Sequence, residues 1–308
     1  MCIRDSYRIF CAAGTAMRAG AACTLCADRH SVIPALRYRC YRQSLAATAP
    51  VAASIALHRS LRTLDRHVDA LIALTQFQRD FFVRRGLLRG ERLHVRANFM
   101  PGSPRAMHWD ERESKVVYVG RMSDDKGVDV LIAAWKLWGA AAPPLVLVGE
   151  GPRRKALQRV VKKQIQSGKI SFTGNLSAPA TQAVLRAARM IIVPSRAFEG
   201  FPMVIREAIA YGVPIVASDV GALAGIVADS GCGVAFRVGD AAALAREARN
   251  LWNDEPRMRR IAARSVEVYR ELYSEDAAYQ MLMKVYGAAI GLRRAPGTSG
   301  ISRGAASA

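Results

Sequence analysis

At 308 residues, 51% of them apolar, the chain is long enough for two ordinary domains of about 100–200 residues each. Its formal net charge is +20, and the stretch from Met1 to Asp110 holds 17 arginines and no lysine against 7 Asp and Glu, a surplus of ten that points to polyanions, phosphate groups or an anionic membrane face as partners. No apolar run approaches the roughly 18–20 residues of a membrane span, no leader pattern opens the chain, and six cysteines are too few for the dense framework of a small secreted domain, so the expected compartment is a reducing cytoplasm.

In chain order, Met1-Cys2-Ile3-Arg4-Asp5-Ser6 reads as the translation of a sequencing adapter, which places the natural N-terminus upstream. Leu61–Leu74 reads as a helix running into a short strand, Gln76–Arg85 as a helix and His94–Asn98 as a strand. The Pro- and Gly-containing run Asn98–Pro104 breaks the backbone and reads as an interdomain linker. From Lys115 onward short β-branched runs alternate with helical stretches. Strands are predicted at Lys115–Val119, Leu145–Val148, Lys169–Phe172, Met190–Val193, Pro214–Ala217 and Gly233–Phe236. Between them lie helices at Lys126–Trp138, Pro152–Gln166, Pro179–Ala188, Pro202–Tyr211 and Ala222–Asp229. Solidly apolar strands separated by one helix each are what a parallel, doubly wound sheet requires. Three more helices follow (Ala241–Trp252, Glu255–Leu272, Asp276–Ile290), and the Gly-, Ser- and Ala-rich tail from Arg293 is expected to be disordered.

Three segments carry candidate chemistry. In Glu199-Gly200-Phe201-Pro202-Met203-Val204-Ile205-Arg206-Glu207, Pro202 stands where a helix can begin, so the free N–H groups of the first turn would face an anion. Glu199 lies ahead of that end, and Glu207 one to two turns inside, about 8 Å further along the axis at ~1.5 Å per residue. Two carboxylates flanking an anion site suit a ligand with hydroxyls at both ends of a diphosphate, such as a nucleotide sugar. The loop Gly120-Arg121-Met122-Ser123-Asp124-Asp125-Lys126-Gly127 follows the first strand of the regular region, where ligands sit in this fold, and its Arg and Lys would neutralise a diphosphate without a metal. A pair of loop cations is equally consistent with simple solvation. Val148-Gly149-Glu150-Gly151-Pro152-Arg153 lacks the third glycine of a dinucleotide fingerprint and reads as a tight turn that lets the backbone approach a nucleotide.

Taken together these motifs resemble family 4 glycosyltransferases, in order and spacing, over roughly Tyr7 to Ile290. The resemblance implies an α/β GT-B-like fold of two Rossmann-like doubly wound domains, the first incomplete. Residues 1–110 would be a remnant of the acceptor-side domain, 111–275 the nucleotide-sugar-binding domain, 276–291 a closing helix and 292–308 a disordered tail. It also implies a retaining, metal-independent transfer from a UDP- or GDP-sugar to a glycan or lipid-linked acceptor in cell-envelope polysaccharide synthesis, with no cofactor and no nucleic-acid partner. Arg121 and Lys126 would bind the donor diphosphate, Glu199 the transferred sugar and Glu207 the ribose. Asn175 and Leu176 would meet the base, and the backbone at Gly120, Gly149, Gly200, Phe201 and Met203 would face the donor.

Two departures stand out. The histidine that relatives carry before the Tyr7–Cys11 stretch would fall near Asp5, so this chain by itself is expected to turn over weakly or not at all. Gly225 stands where relatives often carry Glu, although Gly221 and Ala222 before it remain suited to phosphate. A sugar-nucleotide epimerase of the same fold and a basic nucleic-acid-binding protein are the rival readings. The arginine surplus adds an expected peripheral contact with anionic lipid at the inner membrane face. Cys11, Cys23, Cys26 and Cys40 admit either a structural zinc site, since Cys23 and Cys26 have the spacing of a zinc-knuckle arm, or reduced buried thiols.

Overall fold

The computed structural model of the chain describes residues 2–4 and 7–294. Its rear half is built on a parallel six-stranded sheet formed by β6 (Glu113–Val119), β7 (Leu145–Val148), β8 (Ile170–Gly174), β9 (Ala188–Val193), β10 (Ile215–Ser218) and β11 (Gly233–Phe236), in spatial order β11-β10-β9-β6-β7-β8. Strands such as Leu-Val-Leu-Val in β7 and Ile-Val-Ala-Ser in β10 are buried on both faces because helices cover both sides, hence their continuous apolar character. The order runs outward from β6 through β7 and β8, then returns to β9 and runs outward the other way. The crevice beyond the carboxyl ends of β6 and β9 is therefore the topological switch point where such sheets bind ligands.

The front half starts at β1 (Cys2–Arg4), followed by the short antiparallel pair β2 (Met17–Arg18) and β3 (Ala21–Ala22). β1 pairs in parallel with β4 (Leu71–Ala73), and β4 with β5 (Leu93–Val95), a three-stranded sheet in order β1-β4-β5. Its helices are α1 (Leu25–Asp28), α2 (Ile33–Arg37), α3 (Leu45–Ser60), α4 (Thr63–His67) and α5 (Gln76–Arg84). Ser44 caps α3 and Thr75 caps α5, each accepting a bond from a backbone N–H three residues on. The rear helices are α6 (Val128–Trp138), α7 (Arg154–Val160), α8 (Lys162–Gln166), α9 (Ala178–Arg186), α10 (Met203–Ala210), α11 (Ala241–Trp252), α12 (Glu255–Val268) and α13 (Glu275–Arg294). α13 returns to the front half, where Val285, with Leu282 and Ala289, packs on Ala70 and Ile72.

Several boundaries differ from the expected ones. The predicted helix Pro152–Gln166 is two pieces, because the buried Val161 leaves helical geometry at φ −117° and ψ 28°. Pro202 is the residue before α10 and not its first, and Ala222–Asp229 narrows to a single π turn at Gly225–Asp229. Ala188, expected at the end of a helix, begins β9, and the expected helix from Leu61 shrinks to α4, with Arg62 left-handed in front of it. The helix predicted to Ile290 runs on to Arg294, so Arg293 is helical; the rest of the expected disordered tail, and Asp5, lie outside the described residues.

Candidate active site

The glycine-rich loop after β6 is shaped by contacts that side chains would obstruct. Gly127 has φ +64°, and a Cβ there would stand 2.0 Å from the carbonyl oxygen of Pro194. The first loop is thereby pressed against the segment after β9. Gly149 has φ +128°, and its Cβ would meet the Gly120 carbonyl oxygen at 2.2 Å, so the turn after β7 closes on the same loop. Backbone bonds tie the three strand ends together: Gly120 N–H to the Val148 carbonyl (3.0 Å), Met122 N–H to Glu150 (2.8 Å) and Gly149 N–H to Gly174 (2.8 Å).

This arrangement brings the expected residues into two adjoining groups. Gly120, Arg121, Gly149, Asn175 and Leu176 line one open cavity of about 470 Å³ together with Thr181 of α9. Beside it, Lys126 Nζ donates to Glu199 Oε1 at 2.6 Å, and Ser195 Oγ donates to the same oxygen at 2.7 Å. Lys126 is 29% and Glu199 15% exposed, so the pair is largely screened from solvent yet open on one side. Lys126 and Glu199, read from sequence as serving different parts of a ligand, thus form one ion pair. A phosphate reaching Lys126 would share its ammonium with Glu199.

Glu207, inside α10, accepts from Arg206 Nη2 at 3.5 Å, and burial raises its carboxyl above the ordinary range, partly offset by Arg206 and by a bond from Gln182. Gln182 follows Thr181 on α9, so this bond ties Glu207 to the helix that lines the open cavity. The Arg206 guanidinium also bonds the Phe99 carbonyl, anchoring α10 to the interdomain linker. Of the loop residues, Phe201 is buried and meets Tyr273 in a tilted ring contact at 5.3 Å between centroids, Gly200 is half-buried, and the Met203 side chain is exposed beside Asn98.

Sequence reasoning passed over the seam between the halves. Phe198, one residue before Glu199, meets Tyr7 at 5.8 Å, Phe77 at 5.4 Å and Phe81 at 5.9 Å between ring centroids. The Tyr7 hydroxyl is buried without a hydrogen-bond partner, and burial together with the Glu199 charge pushes its ionisation well above the usual range. Tyr7 stands in the motif stretch read from sequence, and Ser195 lies four residues before Glu199 in the loop after β9, but no local pattern marks either as a neighbour of that carboxylate. A second, mainly apolar cavity of about 630 Å³ opens between the halves beside the Glu199 loop. It is lined by Leu74, Phe77, Val95, Phe201, Gly225 and Tyr273 among others. Gly221 and Ala222 reach this cavity, and at Gly225 an added Cβ would come no nearer than 3.5 Å to Asp229, so the missing Glu side chain leaves open space.

Four cysteines of the front half also converge: Cys11, Cys23, Cys26 and Cys40 all line one small cavity. Among the described residues no group of three or more His, Cys, Asp or Glu side chains is already arranged to hold a metal ion.

Two α/β halves facing one another across a cleft, the rear one a doubly wound parallel sheet with cations and a carboxylate at its switch point, define the GT-B class of fold. Residues 103–267 match the family described as glycosyl transferases group 1, and the chain belongs to that family. It is similar to the alpha-D-kanosaminyltransferase of Streptomyces kanamyceticus, at 26% identity over 72% of this chain and 61% of that protein. It is also similar to the D-inositol 3-phosphate glycosyltransferase of Thermomonospora curvata, at 34% identity over 67% of this chain and 48% of that one. The chain therefore spans about half to three-fifths of these relatives. Among solved structures, Anabaena HepE in complex with UDP superposes with a TM-score of 0.65 at 20% identity, covering 78% of this chain and 67% of that one. Sucrose-phosphate synthase from Thermosynechococcus elongatus gives 0.66 at 22% identity over 83% and 66%. These likenesses establish the fold.

Proposed function

We propose that this chain carries the donor side of a retaining glycosyltransferase that moves a hexose-type sugar from a UDP- or GDP-sugar to a glycan or lipid-linked acceptor without a divalent metal. The observation that carries the reading is the Lys126–Glu199–Ser195 constellation beside the cavity of Gly120, Arg121, Asn175 and Leu176. A nucleotide in that cavity has its base toward Asn175 and Leu176 and its ribose toward Glu207. Its diphosphate then lies along the Gly120–Arg121 loop, near Lys126 and the amides that open α10. Negative charge grows on the diphosphate as the bond from the anomeric carbon to its oxygen breaks, and placed cations and amides stabilise that charge most where water is scarce. The acceptor hydroxyl attacks the same face of the sugar, and its proton passes to the departing phosphate oxygen, so bond making and breaking balance without a protein nucleophile. Glu199, oriented by Lys126 and Ser195, holds the sugar hydroxyls.

The apolar cavity beside Phe201 and Gly225 favours an acceptor with an apolar portion. The front half adds a surface on which Ile33, Tyr38, Leu45, Leu57 and Leu61 are exposed among Arg37, Arg39, Arg42 and Arg62, which suits a peripheral contact with anionic lipid. No helix among the described residues is long and apolar enough to cross a membrane.

The test separates binding from transfer. Glu199→Gln should leave free UDP or GDP binding intact while abolishing sugar transfer, measured with labelled donor on protein extended to the length of its relatives. Unchanged transfer in Glu199→Gln would overturn the assignment.

A further inference from the structure

The segment from Tyr7 to Ser44 has little regular structure to hold it. Its elements are two two-residue strands and two helices of 4 and 5 residues. Six non-glycine residues in it hold left-handed backbone (Ala16, Ala19, His30, Arg39, Arg42 and Gln43), against one, Arg62, in the rest of the described chain. A stretch so poor in ladders and so rich in costly turns needs a staple. Cys11, Cys23, Cys26 and Cys40 lie within it, and although 29 positions separate the first from the last, all four line one cavity of about 20 Å³. That volume is close to what one water molecule or ion occupies. Phe10, Ala12, Met17, Leu25, Pro34 and Ala35 supply its apolar walls, and Arg18 and Tyr38 complete the lining.

We propose that Cys11, Cys23, Cys26 and Cys40 are the ligands of a structural tetrathiolate zinc site that fastens the Tyr7–Ser44 segment to the front domain. The donor set is the soft, all-sulfur one that selects Zn(II), with one short Cys-x-x-Cys arm and two ligands from separate turns. At a Zn–S distance of about 2.3 Å the sulfurs of a tetrahedral site stand about 3.8 Å apart. The thiols as they ring the cavity are not yet at that spacing. Closure requires the four sulfurs to move toward the cavity centre. The cluster that results is doubly negative, and Arg18, which lines the same cavity, brings a positive charge to it. Zinc takes cysteine as the thiolate, so binding displaces protons and apparent affinity should climb with pH.

The chain as it stands, expressed with zinc in the medium and purified under reducing conditions without chelator, should contain about one zinc per molecule. Cobalt(II) exchanged into that site should give the intense visible bands and sulfur-to-metal charge transfer of a tetrahedral tetrathiolate. Cys23→Ser combined with Cys26→Ser should lose the zinc, whereas Cys232→Ser, in the core of the rear half, should keep it. Cobalt spectra of the unmutated chain decide the question even where the double variant fails to fold. Metal-free protein that binds no cobalt, zinc retained by the double variant, or two disulfides joining these cysteines would overturn the proposal.

Discussion

Replacing Lys126 and Glu199 with alanine, singly and together, probes whether the loop after β6 and the loop after β9 act as one unit. At 2.6 Å and an effective dielectric of about 20, the bare attraction is about 6 kcal/mol, most of it cancelled by desolvation and by ordering the lysine side chain. Hydrogen bonds between charged groups retain about 1.5–3 kcal/mol net, and exposures of 29% and 15% place this pair within that range and above a surface ion pair. Each single variant should therefore lower unfolding stability by about 1–3 kcal/mol. Lys126→Ala leaves Glu199 only the Ser195 hydroxyl, while Glu199→Ala leaves the ammonium with no bonded partner among the described residues. The double variant should fall short of the sum by about 1.5–3 kcal/mol in urea denaturation. Additivity to within about 0.5 kcal/mol would refute the coupling and leave Lys126 a solvated cation.

Gly127→Ala should destabilise the chain by about 2–4 kcal/mol in the same assay, because a methyl group cannot occupy a position 2.0 Å from the Pro194 carbonyl oxygen without parting the two loops. Glu207 should give a pH signature. Its folded carboxyl titrates above the unfolded one, so its neutral form contributes stability that is fully present below the unfolded pKa and lost as pH rises through the folded value. Glu207→Gln should therefore gain stability relative to the parent as pH rises from about 4, the ordinary range for glutamate, read from thermal melts, and a constant difference would contradict this. Flotation with anionic vesicles should show binding that high salt reverses, while equal binding to neutral vesicles would count against the arginine-rich surface.

The rear half was readable because its strands carry short, mainly apolar runs, with Gly or Pro directly after β6, β7 and β9, and β7 and β11 begin and end where the pattern places them. The front half was less so. α3 is rich in alanine and carries Pro50 inside it, which reads as a break. It is held by the Ser44 cap and by burial of Thr48, Ala52 and Ile55, a tertiary contribution that outweighs the local signal. In the site, the types and spacing of Arg121, Lys126, Glu199 and Glu207 were legible as chemistry. Their pairings were not, since Lys126 and Glu199 are 73 residues apart and only the reversal of strand order between β6 and β9 brings their loops together. Tyr7 and Phe198 meet across the two halves for a similar reason: the contact belongs to how the halves pack and to no local period.

Calorimetry of the chain with UDP and with GDP in excess chelator, run beside Arg121→Ala, tests the central claim most directly. One or both nucleotides should bind without any divalent ion, and Arg121→Ala should weaken that binding about 10- to 150-fold, the loss of one charge-assisted bond of about 1.5–3 kcal/mol. Binding that appears only on adding magnesium or manganese, or that is indifferent to Arg121→Ala, would contradict the account.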